Sequence, residues 1–331
     1  MQLTDKYNRI HKYLRISITD KCNLNCLYCK PTKIQSESNH KKILSFEEIE
    51  RLVKIFVYKF GFKKVRITGG EPFARKDIAK LIGRLSLIKS DKDFELTATT
   101  NGTLIKNKVY DLKKYGLDRL NFSLDTLNRQ KFIKITGYDK LNDVIASIDQ
   151  AIDAGFENLK INSVIIKGIN DNEILDLVLF AMHRNITIRF IEYMPFSDNF
   201  YQEKVFISSQ EILEIIKNKL NITPINSFNG EIADYYQIGD TVSKIGLISS
   251  ISNHFCSKCD RIRITSEGKI KPCLFSSVRE EVNLANYMRD GVDDNKLIEI
   301  IENALKIKKF KHPDLLSIKK LKNNNMFKIG G

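Results

Sequence analysis

The sequence predicts an α/β fold: six βα units on a parallel sheet, followed by a smaller α+β domain. Three observations carry this. Six short apolar stretches recur over the first 195 residues, with helical patterns between them. Gly-rich or polar motifs follow the ends of those stretches, where parallel α/β folds keep their reactive groups. Past Pro195 the rhythm breaks into a helix, short strands and Gly/Asn turns. The boundary therefore falls between residues 1–195 and 196–331.

Met1 to Tyr13 is a polar lead-in. Strands are predicted at Leu14–Thr19, Val65–Thr68, Phe94–Thr99, Arg119–Leu124, Leu159–Ile166 and Thr187–Tyr193. Ser45-Phe-Glu-Glu48 is a capping box, and Phe46, Ile49, Leu52, Val53 and Phe56 form the apolar stripe behind it. Further helices fit Asp77–Ile88, Leu104–Tyr115, Leu141–Ala154 and Glu173–His183. Gly61, Gly116 and Gly155 stand where helices are closed by a left-handed residue. In the second part a helix fits Ser209–Leu220 and strands fit Asp234–Ile238 and Lys244–Ser249. Periodicity leaves an open doubly wound sheet and a partial barrel equally possible.

Composition excludes some classes. With 42% apolar residues in 331 the chain supports a sizeable core. No apolar run reaches membrane-spanning length, and the N-terminus carries no signal-peptide core. A cytoplasmic protein without a membrane partner is expected, and in that compartment six cysteines are better ligands than disulfides. Lys and Arg number 54 against 40 acidic residues, a surplus that suits a polyanionic partner, either nucleic acid or a phosphorylated small molecule. The stretch from Lys306 to Lys322 reads as a solvated basic surface.

The chemistry-bearing motif is Cys22-Asn-Leu-Asn-Cys26-Leu-Tyr28-Cys29, directly after the first strand. A cubane iron–sulfur cluster takes four thiolates, so three leave one iron open for chemistry. Zinc, or three buried thiols, is the plainer alternative. The other three cysteines, Cys256, Cys259 and Cys273, repeat the count. A Cys3His zinc ribbon using His254 competes there, although His254 stands only two residues before Cys256. Arg261 and Arg263 alternate on the strand that follows and suit phosphate, where one contact at about 4 Å is worth on the order of 4 kcal/mol at a dielectric near 20.

The CxxxCxxC spacing, with an aromatic before its last Cys, resembles the radical S-adenosylmethionine (SAM) motif. From Leu14 to the C-terminus the chain resembles the GTP 3′,8-cyclase family. The resemblance rests on Cys22, Cys26 and Cys29, Arg66-Ile-Thr-Gly-Gly-Glu-Pro72, Thr99-Thr-Asn-Gly102, Asn121-Phe-Ser-Leu-Asp125, Arg189-Phe-Ile-Glu-Tyr-Met194, the Cys256/Cys259/Cys273 set and the Ile329-Gly-Gly331 end. It implies a partial (βα)6 radical SAM barrel. It implies two [4Fe-4S] clusters, the first holding SAM, with Tyr28, Gly70, Ser123 and Met194 lining the SAM site. GTP is the implied substrate, bound by the second cluster and by Arg15, Arg66, Thr99, Lys160, Arg261 and Arg263. The Gly330–Gly331 tail is expected to enter the active site. Lys30 stands where the family usually has Met. An external one-electron reductant is required, no side-chain acid or base is assigned, and the protein is expected as a monomer or homodimer that binds no nucleic acid. Another radical SAM enzyme, such as a peptide maturase, and a zinc-stabilised RNA-binding protein are the competing readings.

Overall fold

The computed structural model describes residues 1–29, 42–196, 199, 202–226, 231–319 and 326–330. Lys30, most of the polar loop after it, Lys320 to Lys322 and Gly331 lie outside them. A small antiparallel hairpin, β1 (Leu3–Thr4) and β2 (Ile10–His11), opens the chain. The six expected strands follow as β3 (Tyr13–Ser17), β4 (Lys64–Thr68), β5 (Glu95–Thr100), β6 (Arg119–Ser123), β7 (Lys160–Ile165) and β8 (Thr187–Glu192). Each pairs in parallel with the next.

The intervening helices are α1 (Phe46–Lys54), α2 (Ile78–Ile88), α3 (Val109–Lys114), α4 (Arg129–Thr136), α5 (Leu141–Asp153) and α6 (Ile174–Met182). The Ser45 capping box forms as expected, and α1 runs on into a π-helical turn at Ile55–Lys59. Two points differ from expectation. α3 starts only at Val109, because Asn107 adopts a left-handed conformation (φ 66°) and the residues before it form turns. α4 was not expected. Its short sequence buries only Phe132, Ile135 and Thr136, so its periodicity is faint, yet Asn128 caps its start and Gly137 (φ 82°) closes its end.

The second part contributes α7 (Ser209–Lys217), β9 (Ile222–Ile225), β10 (Asp234–Ile238), β11 (Lys244–Ile248), β12 (Arg261–Ile264), β13 (Lys269–Lys271), β14 (Val282–Asn283), α8 (Leu284–Arg289), α9 (Asp294–Lys306), α10 (Leu315–Lys319) and α11 (Met326–Ile329). These strands extend the same sheet at both edges. β12 pairs in parallel with β3, and β11 pairs in parallel with β8. The result is one 12-stranded sheet in the order β14-β13-β12-β3-β4-β5-β6-β7-β8-β11-β10-β9.

Side chains on the parallel strands alternate. Leu14, Ile16, Val65, Ile67, Leu96, Ala98, Leu120 and Phe122 are fully buried in the core that the helices cover. Residues between them, such as Arg15, Thr99, Asn121 and Ser123, face a cavity on the other side. Within the stretch expected to be solvated, Lys308 is only 3% exposed, because it reaches under the 256–259 loop. Lys309, next to it, does lie at the surface, paired with Glu280.

Buried Glu192, at the end of β8, locks the approach to Cys256. Its carboxylate accepts from the backbone N–H groups of Ser209 (2.8 Å), Ile251 (2.7 Å) and Ser252 (2.9 Å), and from the Ser252 hydroxyl. Glu192→Ala would leave three backbone donors without this acceptor. A loss of about 3 kcal/mol is expected, read from the denaturant midpoint of the iron-free protein.

Candidate functional site

Both cysteine trios open onto one cavity, whose empty volume is about 1890 Å³ with the solvent at its mouth included. Its wall carries Cys22, Cys26 and Cys29 on one side and Cys256, Cys259 and Cys273 on the other. The first trio sits after β3, where Cys29 N–H donates to the Cys26 carbonyl at 2.9 Å. Cys256 and Cys259 bracket a 3-10 turn just before β12. Cys273 follows β13, whose antiparallel pairing with β12 brings it back to the same end.

Tyr28, Gly70, Ser123 and Met194 all line the cavity, as do Arg15, Thr99, Arg261 and Arg263. Arg66 and Lys160 stand off the wall. Arg66 is 3% exposed, donating through Nε to the Tyr13 hydroxyl and through Nη1 to Thr99 Oγ1 at 3.2 Å. Lys160 donates to Glu231 (3.1 Å) and to the Tyr235 hydroxyl (2.9 Å).

The phosphate-type residues are aligned by sheet register. Arg263 faces Arg15 across one strand pair, and Arg15 faces Arg66 across the next. One residue pair back, Arg261, Tyr13 and Lys64 form a second row. Tyr13 thus lies within a ring of cations. Burial pushes its hydroxyl up, but Arg66, Arg15, Arg261 and Lys64 together pull it down to about 6. Burial, with Arg261 beside it, brings Arg263 down to about 10, and burial also lowers Arg15. Such crowding of positive charge is costly unless an anion joins it.

The chain's own tail reaches this patch. Arg263 donates to the Gly330 carbonyl at 3.0 Å and Arg15 donates to it at 3.3 Å. Gly330 has φ +67°, and a Cβ there would meet Thr68 Oγ1 at 2.0 Å, so only glycine fits against β4. Gly70 is also required to be glycine. A Cβ would meet the Lys21 carbonyl at 2.5 Å, so the glycine admits the backbone that carries the first thiol loop.

Several wall residues lay inside the recognised motifs but drew no role from sequence. Asn101 donates to Cys22 Sγ at 3.8 Å and to Asn23 Oδ1 at 3.0 Å. Asp125 accepts from the Tyr28 hydroxyl at 2.7 Å and from Val164 N–H at 2.8 Å. Arg189 donates through Nε to Asn162 Oδ1 at 2.9 Å. Period-two spacing was the available signal for Tyr13, which shares a face with Arg15. His254 does line the wall, and the fold sets His312 edge-on to it with ring centroids 5.1 Å apart. Sequence spacing could not foresee that second histidine.

The two trios differ in electrostatics. Burial, then the fields of Cys22, Cys29 and Asp125, pushes the Cys26 thiol well up. Iron would supply the positive charge those three thiolates lack. Burial also raises Cys256 and Cys273. Against burial, Lys308 and Arg261 draw the Cys259 thiol below its usual value and favour the thiolate that a metal needs. Among the described residues no group of three or more His, Cys, Asp or Glu is arranged to hold a single ion. An iron–sulfur cube takes its thiolates at separate iron corners, and two sets of three cysteines outside any disulfide, facing one cavity, fit that donor chemistry.

Residues 16–181 match the profile of the radical SAM superfamily, and residues 186–313 match Molybdenum Cofactor Synthesis C. The chain is 43% identical to molybdenum cofactor biosynthesis protein 1 of Dictyostelium discoideum over 99% of its own length, and spans 52% of that longer protein. It is 41% identical to the mitochondrial GTP 3′,8-cyclase of Arabidopsis thaliana, covering 99% of this chain and 83% of the relative. Among solved structures, Streptococcus suis SuiB bound to S-adenosylmethionine aligns with a TM-score of 0.64 at 19% identity, over 89% of this chain and 69% of that one, a likeness of fold.

The buried Asp125 carboxyl is pushed up to about 6, mainly by burial, although the Tyr28 hydroxyl and Val164 N–H favour its charged form. Its folded value lies above the ordinary 3.8, so it contributes stability below about pH 4, and that contribution fades as pH rises through about 6. Asn can keep both hydrogen bonds by reversing one. In anaerobic, iron-free protein, Asp125→Asn is expected to flatten the stability–pH curve between about pH 4 and 6, by on the order of 3 kcal/mol, in urea titrations at each pH.

Proposed function

This chain belongs to the radical SAM superfamily, in its GTP 3′,8-cyclase branch, and we infer from that membership that it converts GTP to (8S)-3′,8-cyclo-7,8-dihydroguanosine 5′-triphosphate, the first step of molybdenum-cofactor biosynthesis. The observation that carries the reading is the shared cavity, with a thiol trio at each side and arginines between them. When bound, a [4Fe-4S] cluster and SAM supply a hydrogen-abstracting 5′-deoxyadenosyl radical after one-electron reduction.

We assign the residues as follows. Cys22, Cys26 and Cys29 hold the SAM-binding cluster, and Tyr28, Gly70, Ser123 and Met194 line the SAM site. Cys256, Cys259 and Cys273 would hold a second [4Fe-4S] cluster, which with three protein thiolates would offer an iron for the guanine to bind. Arg15, Arg261 and Arg263 take the triphosphate, supported by their alignment on adjacent strands. Arg66 orients Thr99 and Tyr13 toward the nucleotide. Lys160 reaches GTP by exchanging its contact with Glu231 for a phosphate oxygen.

The chain's work is positioning and the exclusion of water, which let a ribose hydrogen be taken and a ring closed at one site. The tail carbonyl at Gly330 fixes Arg15 and Arg263 in the rotamers that a phosphate would meet. Residues 1–195 form the SAM unit and 196–331 the second-cluster unit, joined through one sheet. Six cysteines without a disulfide suit a reducing compartment such as the cytoplasm, with an external one-electron donor. The partner is a mononucleotide, not a nucleic acid, and the chain works as a monomer or homodimer. No helix among the described residues is long and apolar enough to cross a membrane.

The test is anaerobic reconstitution followed by reduction with GTP and SAM. About eight irons per chain and formation of the cyclic nucleotide with 5′-deoxyadenosine are expected. Cys22→Ala should abolish SAM cleavage. Cys256→Ala should leave SAM cleavage and end GTP conversion. SAM cleavage by the unaltered protein with GTP unchanged would refute the substrate assignment. Separately, Arg263→Ala should raise the KM for GTP roughly tenfold or more, the loss of one charge-assisted phosphate contact, in initial-rate measurements.

A further inference from the structure

Lys308 sits in a run of lysines, yet its ammonium is buried beneath the second thiol trio. A buried ammonium is costly without a compensating anion. Its hydrogen bonds go to the Arg261 carbonyl at 2.9 Å and to Cys259 Sγ at 3.7 Å. Among the described residues no carboxylate comes within ion-pair distance of it; Asp260 feels its field but does not pair. The nearest group able to carry the matching negative charge is the thiolate.

The position of Lys308 is fixed from outside. Arg9, held by Asp5 at 2.6 Å, donates to the carbonyls of Cys256 (2.7 Å), Phe310 (2.9 Å) and Lys309 (2.8 Å). One guanidinium thus staples the thiol loop to the strand of chain that carries the lysine. At the first trio, Cys22 Sγ accepts from the Leu24 N–H (3.5 Å) and the Asn101 amide (3.8 Å).

We propose that Lys308 sets the reduction potential of the second metal centre, its ammonium donating to the Cys259 sulfur and stabilising the reduced form. This rests on the reading of Cys256, Cys259 and Cys273 as cluster ligands. One-electron reduction by an external low-potential donor adds one negative charge to the cluster and its thiolates, with no bond made or broken. A fixed positive charge against a ligating sulfur favours that added charge, and hydrogen bonds to sulfur are a known lever on cluster potential. Lys308 is therefore a positioning and tuning residue that does not touch substrate.

The test is an anaerobic redox titration of the reconstituted holoenzyme followed by electron paramagnetic resonance, with the second cluster's signal assigned in a Cys22→Ala/Cys26→Ala/Cys29→Ala background. Lys308→Met is expected to keep about eight irons while its second-cluster midpoint moves negative, a loss of about tenfold in the reduction equilibrium, or about 59 mV for one electron. The first cluster's midpoint should stay fixed, and Lys308→Arg should restore the second. An unchanged midpoint in Lys308→Met with full iron overturns the proposal. Should Lys308→Met and Lys308→Gln both lose the second cluster's iron, retention by Lys308→Arg shows that the charge is needed and supports the proposal; loss in Lys308→Arg as well makes the role one of packing and overturns it. Failure of the underlying reading looks different: the unaltered protein would then hold only the first cluster's iron and give no second signal.

Discussion

The arrangement depends on one pairing: Tyr13–Ser17 is bonded on one side to Lys64–Thr68 and on the other to Arg261–Ile264, all in parallel. Parallel register sends the three strands' C-terminal ends in one direction. The first trio, in the loop after β3, therefore sits at the C-terminal ends of these strands, while Cys256 and Cys259, just before β12, sit at the N-terminal ends, so the trios flank the cavity from opposite strand ends. The same register sets Arg263 beside Arg15 and Arg15 beside Arg66. Without that edge pairing, the two thiol trios would have no common chamber and the arginines no common row.

Concentrating positive charge this way works against stability. Tyr13 is drawn toward the phenolate by four neighbouring cations, and Arg15 and Arg263 are lowered chiefly by burial. The fold offsets part of this with the phenolate character of Tyr13 and with dipoles: the Gly330 carbonyl, and the Ala98 carbonyl that accepts from Arg66 at 3.3 Å. Dipoles offset less than a full counter-charge would, which leaves the patch receptive to a polyanion. Around the first trio the balance is reversed, with Asp125 adding negative field to three thiols. A cationic metal cluster answers that need, just as a triphosphate answers the other.

The strand and helix spans were largely legible, because helix-facing apolar residues alternate with polar cavity-facing ones and the helices carry strong stripes or caps. α4 escaped because its stripe is short, and α3 was overextended because nothing in Leu104–Lys108 announced a left-handed Asn107. Both cysteine trios and Tyr28, Gly70, Ser123 and Met194 belong to recognisable motifs, and all of them line the one cavity; the first trio and the other four end or follow strands, whereas Cys256 and Cys259 precede one. Gly70 lies on the cavity wall, and its packing partner, the Lys21 carbonyl, is a tertiary contact that no motif announces. Arg66 and Lys160 were expected against substrate and instead stand one layer back, engaged with Tyr13, Thr99, Glu231 and Tyr235.

By itself the sequence determined the local matters: which stretches are strands, where helices are capped, and that two incomplete thiol sets exist. Those properties are short-range, set by periodicity, backbone preference and ligand spacing. Tertiary structure decided what meets across long separations: that the later strands extend both edges of the first sheet, that His312 comes beside His254, and that one lysine of a basic run is buried against a cysteine while its neighbour stays in water. The reason is that burial and pairing depend on which surfaces the chain brings together, and a residue type carries no record of that.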